Sequence, residues 1–170
     1  MNSLGTWFCT ILFSIIVSST FGQPSVDSLQ LVYNSPSLPD SHKSEILIRA
    51  SKSLLKSNPD TSLFLIQDAF KLSDGSEELR DKVILVRGSI FSRLNRTDEA
   101  IHDFEEFIRY QKGDTTNVAS YKAFNNLAIC YRRIGQFESA LFFYQKAYNV
   151  AERLQDVERM NTVLMNFSTF

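Results

Sequence analysis

Residues 124–147 read FNNLAICYRRIGQFESALFFYQKA, and this stretch decides the fold of the chain. Its first half carries large apolar residues at helical spacing, at Phe124, Leu127 and Tyr131. Small Ala128 on the same helix leaves room for a neighbouring helix to come close. Gly135 can take the left-handed conformation that a tight turn between helices needs. A second apolar stripe follows, at Ala140, Tyr144 and Ala147, so the sequence predicts a helical hairpin.

The order of large, small and turn residues in this hairpin resembles the tetratricopeptide repeat, a helix-turn-helix unit of 34 residues that stacks into a solenoid. Phe124 stands where the family usually has Trp. The resemblance implies an all-α fold, a right-handed superhelix (α-solenoid) built from such hairpins. It also implies a protein that holds partners and is not an enzyme.

A looser copy of the pattern lies 40 residues upstream, at Ile84, Gly88, Phe91, Asn95, Ala100, Phe104 and Phe107. Asn95 replaces the turn glycine, and Asn tolerates the left-handed conformation better than most residues. Arg87 occupies a position where an aliphatic residue is expected.

A third and more degenerate copy precedes it, with Ile46, Ala50, Ser62, Ile66 and Ala69. Asn58, Pro59 and Asp60 would supply a helix cap, a first helical residue and an acid in the first turn. We therefore expect about three hairpins in residues 44–157, at about 44–74, 77–112 and 116–155, with the matching positions near 40 residues apart. Residues 23–43 would form a linker or a short capping helix.

Residues 158–170 are predicted to be the first helix of an incomplete further repeat, because Leu164 and Phe167 are in phase with Phe124 and Leu127. A solenoid normally ends in a helix with a polar outer face, and this segment is unusually apolar. We expect the chain to be the front part of a longer protein. The alternative is a short, degenerate capping helix.

Residues 1–22 contain no charged side chain, and residues 7–17 are almost continuously apolar. This pattern predicts a secretory signal peptide cleaved near Gly22, and hence export, to a bacterial periplasm or cell envelope. A retained membrane anchor is the alternative, because residues 4–22 approach the roughly 20 residues that span a bilayer. Cleavage would remove Cys9 and leave Cys130, which we expect to be a half-buried packing residue.

The composition excludes several functions. A formal net charge of −1 over 170 residues argues against bulk nucleic-acid binding. His42 and His102 are the only histidines, and no recognised metal motif surrounds them. There is no glycine-rich phosphate loop and no nucleophile elbow. The sequence therefore offers no catalytic residue, no cofactor site and no metal site.

In the repeat family the first helices of successive hairpins line a concave groove. Carried over by position, the resemblance implies ligand-facing residues at Lys82, Leu85, Ser89, Ser92 and Arg93 in one repeat, and at Lys122, Asn125, Ile129, Arg132 and Arg133 in the next. Among them we take Lys82, Ser89, Arg93, Lys122, Asn125, Arg132 and Arg133 as candidate partner-binding residues.

The charges of these helices segregate. Residues 81–94 carry three basic side chains against one acid, residues 118–134 carry three against none, and residues 98–109 between them carry five acids against one base. A basic groove would bind a protein or an extended peptide with acidic residues or a free C-terminal carboxylate.

Two functions stay open on the sequence, and a third, an enzyme with the repeats as an accessory arm, would need residues beyond those given. One is a scaffold for protein-protein interaction. The other is the sensing region of a bacterial membrane regulator, a class in which a signal peptide and repeats of about this length precede a histidine kinase or DNA-binding output domain.

Overall fold

The computed structural model describes residues 29, 32–111 and 116–168. Within these ranges seven helices have defined bounds, and no residue is in a β-strand. The helices are α1 (Asp40–Leu54), α2 (Pro59–Lys71), α3 (Glu77–Arg93), α4 (Thr97–Tyr110), α5 (Val118–Arg133), α6 (Phe137–Arg153) and α7 (Val157–Phe167).

The chain divides into two compact units, Met1–Arg80 and Asp81–Phe170. The first contains the hairpin of α1 and α2. Its core combines aliphatic side chains with small polar ones: Ser51 Oγ donates to the carbonyl oxygen of Ser62 at 2.9 Å, and Ser62 Oγ donates to that of Ser51 at 2.8 Å. Both hydroxyls are buried and hydrogen-bonded, so the two helices approach closely without leaving a polar group unsatisfied.

Helix α2 begins as its sequence predicts. The side chain of Asn58 accepts a hydrogen bond from the backbone N–H of Thr61 at 3.1 Å, and Pro59 is the first helical residue. Asp60 lies in the first turn, where its negative charge interacts favourably with the helix dipole. The predicted cap is confirmed.

The second unit holds most of α3 and all of α4 to α7. Helix α5 packs against both α4 and α6, and α6 also packs against α7. Small residues lie at these contacts: Ala128 and Ala140 are fully buried in one cluster with Phe124 and Tyr144, as the sequence predicts. On α3, a Cβ atom placed on Gly88 would lie 2.8 Å from Cε1 of Phe104, so a larger residue there would force α3 and α4 apart.

Three turns of the second unit share one hydrogen-bond pattern. The second residue after the helix has a positive φ, 58° at Asn95, 76° at Gly135 and 54° at Gln155. The next N–H then bonds the carbonyl five residues back, at 2.9 Å from Arg96 to Phe91, 2.9 Å from Gln136 to Tyr131 and 3.0 Å from Asp156 to Ala151. This is the Schellman motif, which satisfies carbonyl groups that the helix end leaves open. The predicted turns at Asn95 and Gly135 are confirmed, and Gln155 is a third.

Some predictions fall outside the described residues. These are the signal peptide or anchor at residues 1–22, with Cys9. The domain limits at 23–43, 44–157 and 158–170 stay predictions. In the described ranges, no helix combines the length and apolar character that crossing a bilayer requires.

The turn residues make a first prediction about stability. We expect Gly135→Ala to lower the free energy of unfolding by about 1 kcal/mol, because a Cβ atom strains the left-handed backbone. No atom lies within 4 Å of that Cβ position, so crowding contributes nothing. Conversely, Gln155→Gly should raise the free energy of unfolding by about 0.5 kcal/mol, because glycine adopts the left-handed conformation without strain.

Urea unfolding followed by circular dichroism measures both changes. Gln155→Ala is the matched control, because it keeps the Cβ atom and should bring no gain. If Gln155→Gly destabilised the chain, left-handed strain at this turn would not be the explanation.

Candidate partner-binding surface

In the second unit, helix α5 contacts both α3 and α7 through polar side chains. Asn126 Nδ2 on α5 donates to Ser89 Oγ on α3 at 3.4 Å, and Asn166 Nδ2 on α7 donates to Asn125 Oδ1 on α5 at 3.1 Å. We call the solvent-facing side chains of these helices, from Lys82 onwards, the odd-helix face. Its contacts place the candidates from two predicted repeats on one continuous surface.

The seven predicted partner-binding residues lie on two stripes of this face. On α3, exposed Lys82 lies seven residues before half-buried Ser89, and exposed Arg93 lies four residues after it. All three residues therefore lie on the same side of the helix. On α5, Lys122 and Arg133 are exposed, and Asn125 and Arg132 are half-buried. Sequence reasoning missed Asn126 and Asn166. Their positions relative to Ser89 and Asn125 depend on how the helices pack.

Arg133 and Arg132 bind the ends of the two neighbouring helices. Arg133 Nη1 donates to the carbonyl oxygen of Ser92 at 2.5 Å and to its Oγ at 3.1 Å. Arg132 Nη1 donates to the carbonyl oxygen of Asn166 at 3.4 Å. Both carbonyls belong to the last turn of a helix, where a cation is favoured by the helix dipole. The two arginines therefore help to hold α3 and α7 against α5.

Arg93 and Lys122 have a different setting. Both are exposed, and neither makes a hydrogen bond or an ion pair with the residues that the structure describes. Their charges are thus open to a ligand, whereas those of Arg132 and Arg133 are partly used within the fold.

Arg87 does not belong to this face. Its Nε and Nη2 donate to the two carboxylate oxygens of Asp103 at 2.8 and 2.7 Å, between α3 and α4. Asp103 is only 1% exposed. Burial raises the pKa of the Asp103 carboxyl against the opposing effect of Arg87, and the hydrogen bond to Asp103 raises the pKa of Arg87. The basic excess expected on α3 was therefore too large, because it counted Arg87.

The ion pair occupies positions that are apolar in the next hairpin. Leu127 and Phe143 stand 40 residues after Arg87 and Asp103. The α3–α4 hairpin thus replaces two apolar side chains by a bidentate ion pair, a geometry that fixes the relative position of two helices.

The acids of α4 are also less free than the sequence suggests. Glu99 Oε1 accepts two hydrogen bonds from the guanidinium of Arg96, at 2.8 and 2.7 Å, and this contact lowers the pKa of Glu99. Glu105 Oε1 accepts a hydrogen bond from the Tyr131 hydroxyl at 2.6 Å. Burial and this bond to Glu105 raise the pKa of Tyr131 to about 12. Local pairs therefore reduce the charge contrast between the helices.

Cys130 is buried completely, beyond the half-buried position expected. Its Sγ lies 3.7 Å from Ser92 Oγ, and burial raises the pKa of the thiol. A thiol that stays protonated and out of solvent is a packing group and a poor nucleophile. Among the described residues, no group of three or more His, Cys, Asp or Glu side chains is arranged to hold a metal ion.

Antiparallel helix pairs with small residues at their contacts and left-handed residues in their turns define a helical-repeat protein. In this class, residues 82–114 and 121–153 match the tetratricopeptide repeat model. The predicted repeats are confirmed in these two segments. Comparison with curated protein sequences gives no significant match.

Similar solved structures include the following two. The TPR domain of Arabidopsis FLU gives a TM-score of 0.62 at 20% identity, over 67% of this chain and 98% of that chain. BtubC (BKLC) from P. vanneervenii gives 0.65 at 19% identity, over 93% of this chain and 65% of that chain. At these identities the likeness concerns the fold, and it confirms the predicted all-α solenoid class.

The buried ion pair gives a second prediction. Asp103→Asn should lower the free energy of unfolding by about 3 kcal/mol, because it removes the buried carboxylate charge that pairs with Arg87. The double change Arg87→Leu with Asp103→Phe copies the apolar pair of the next hairpin. It should restore stability to within about 1 kcal/mol of the unchanged chain, or exceed it.

Chemical unfolding of the unchanged chain, the Asp103→Asn variant and the double variant measures these differences in stability. Glu99→Gln is the matched control, because its pair with Arg96 is 45% exposed on both sides and should cost no more than about 1 kcal/mol. An equal loss from Glu99→Gln and Asp103→Asn would contradict the assignment of a special role to the buried pair.

Proposed function

We propose that this chain is a non-enzymatic interaction module that binds a partner protein along the odd-helix face. One observation carries the proposal: three helices present a continuous polar surface, held together by Ser, Asn and Arg contacts, with exposed cations left over. Tetratricopeptide repeats characteristically serve as protein-binding surfaces, which supports the same function.

The chemistry of this face favours an extended, acidic segment or a free C-terminal carboxylate. Arg93 and Lys122 are exposed cations, and a guanidinium has five N–H donors, so exposed Arg133 keeps donors after binding the helix-end carbonyl of Ser92. Side-chain amides at Asn125 and Asn126 can bind a peptide main chain. Because the surface exists before the ligand arrives, binding orders few protein side chains.

We also propose that the module works outside the cytoplasm. This proposal rests on the sequence of residues 1–22 alone. A bacterial periplasm or cell envelope fits that sequence. Whether the module is a scaffold or the sensing region of a larger regulator stays open, and no observation on the described residues favours the regulator.

The test uses a synthetic ten-residue peptide that ends in four acidic residues and a free carboxylate. Fluorescence anisotropy measures its affinity for the full chain. Arg93→Ser and Lys122→Ser together should weaken binding about tenfold at low salt, because two exposed charge pairs are lost. Blocking the peptide carboxylate as an amide should weaken it further if the terminus is recognised.

The matched control is Arg109→Ser with Lys146→Ser, which removes two exposed cations from α4 and α6. It should leave the affinity unchanged. Arg132 and Arg133 are unsuitable for this test, since their replacement also frees the helix-end carbonyls. Absence of binding, or an equal loss in the control, would refute the proposed surface.

A further inference from the structure

Helix α7 carries an apolar stripe that the described helices leave largely exposed. Val157, Met160, Leu164 and Phe167 follow one another at intervals of three, four and three residues, so they lie in one row along the helix. Met160 is half-buried against the core of the preceding hairpin. Val157, by contrast, is 62% exposed, Leu164 51% and Phe167 43%. A row of exposed apolar side chains on one helix indicates an interaction surface.

Helix α6 extends this surface. The ring of Tyr144 on α6 meets that of Phe167 edge to face, with centroids 6.4 Å apart. Leu141 lies three residues before Tyr144, on the same side of α6, and is 49% exposed. We call Leu141 and the stripe of α7 the open face.

The same positions of the preceding hairpin are buried. Leu164 and Phe167 stand 40 residues after Phe124 and Leu127, which are 5% and 0% exposed. Tyr144 of α6 lies in one core cluster with Phe124, so α6 covers this side of α5. Helix α5 therefore shows what covers a stripe of this kind: the second helix of its own hairpin.

The three second helices of the chain, α2, α4 and α6, share one pattern on the side that they bury. Each has a small residue and, four residues later, a large apolar one. All six side chains are at most 2% exposed: Ser62 and Ile66, Ala100 and Phe104, and Ala140 and Tyr144. The small residue lets the two helices approach, and the large one fills the space beside it. This pattern defines the kind of helix that covers a first helix in this chain.

We propose that the open face binds a helix with this pattern, the second helix of a further hairpin that α7 begins. It lies antiparallel to α7 and sets its small and large residues against the exposed stripe. A second copy of the chain cannot supply it, because Ser62, Ala100 and Ala140 are already buried in their own hairpins. The exposed stripe, and not the position of the last residue, is the reason for this proposal.

The docked helix leaves the contacts of the odd-helix face in place. Asn166, which binds Asn125 and accepts a hydrogen bond from Arg132, lies two residues after Leu164. The two positions are therefore about 160° apart around the helix axis, on nearly opposite sides of α7. Both surfaces can be occupied at once, and failure of either proposal leaves the other standing.

The residues that follow Phe170 in the full-length polypeptide provide the first test. The 40-residue register places a turn residue at about position 175, a small residue at about 180 and a large apolar one at about 184. We expect Gly or Asn at the first of these positions, within a helix-turn-helix pattern. A stop directly after Phe170, or a following sequence without this pattern, would overturn the proposal.

Binding of a separate helix tests the open face itself. The probe is a fluorescein-labelled peptide of residues 136–153, which is α6 with its cap residue. Fluorescence anisotropy measures its affinity for the full chain, and we expect a dissociation constant of about 10 to about 100 µM, because the peptide must fold as it binds. Changing both Ala140 and Ala147 of the peptide to Leu should weaken binding at least about fivefold, since larger side chains hold the helices apart.

A substitution in the chain locates the binding site. Leu164→Ser should weaken binding of the probe at least about tenfold, because it removes the central side chain of the stripe. Phe142→Ser is the matched control: Phe142 is 56% exposed on the side of α6 away from Tyr144, and its loss should have no effect. Circular dichroism confirms that both variants are folded.

Three results with the probe would overturn the proposal: no binding up to about 1 mM, an equal loss from Phe142→Ser and Leu164→Ser, or tighter binding of the Leu-substituted peptide. The last would show that general hydrophobicity drives the contact. A concentration-dependent dimer of the full chain that Leu164→Ser abolishes, measured by sedimentation equilibrium, would assign the open face to a second copy and overturn the proposal as well.

Discussion

The close approach of paired helices is the constraint on which the second unit depends. Gly88 on α3 leaves less than a methyl group of space beside Phe104, and Ala128 takes the same position on α5. Where backbones come this near, large side chains from one helix can fill the space beside small ones on the other, and packing reaches the density of an organic crystal. The turns follow from the same constraint. Two helices this close need a connection of few residues, and a left-handed residue provides it at Asn95 and Gly135.

Hairpins built this way leave polar groups at helix ends that must be satisfied. Backbone bonds in the turns satisfy some of them, and arginine side chains bind others. Arg132 and Arg133 are adjacent in sequence, so their side chains diverge and reach helices on opposite sides of α5. Two consecutive cations on α5 therefore contact both neighbouring helices, α3 and α7. A sequence with one arginine there would leave one helix-end carbonyl without this contact.

The sequence predicts the hairpins well because their signals are local. The apolar spacing, the small residues and the turn residues each act within one helix or one turn, so 24 residues at 124–147 suffice to recognise the unit. The pairing of Arg87 with Asp103 could not be predicted in this way. The two residues are 16 positions apart on different helices, and each is an ordinary surface residue by itself. A signal exists in retrospect. Both depart from the apolar residues 40 positions later, at Leu127 and Phe143, and two matched departures in one repeat indicate a compensating pair.

Charge counting failed at the same point, for a physical reason. A sum over a helix treats every ionised side chain as solvent-exposed. Yet Arg87 and Asp103 neutralise each other in the interior, and Glu99 pairs with Arg96, the residue just before its helix. What remains on the odd-helix face is fewer charges at better-defined positions. Contacts with helix-end carbonyls fix the positions of Arg132 and Arg133, whereas no such contact with the described residues holds Arg93 or Lys122.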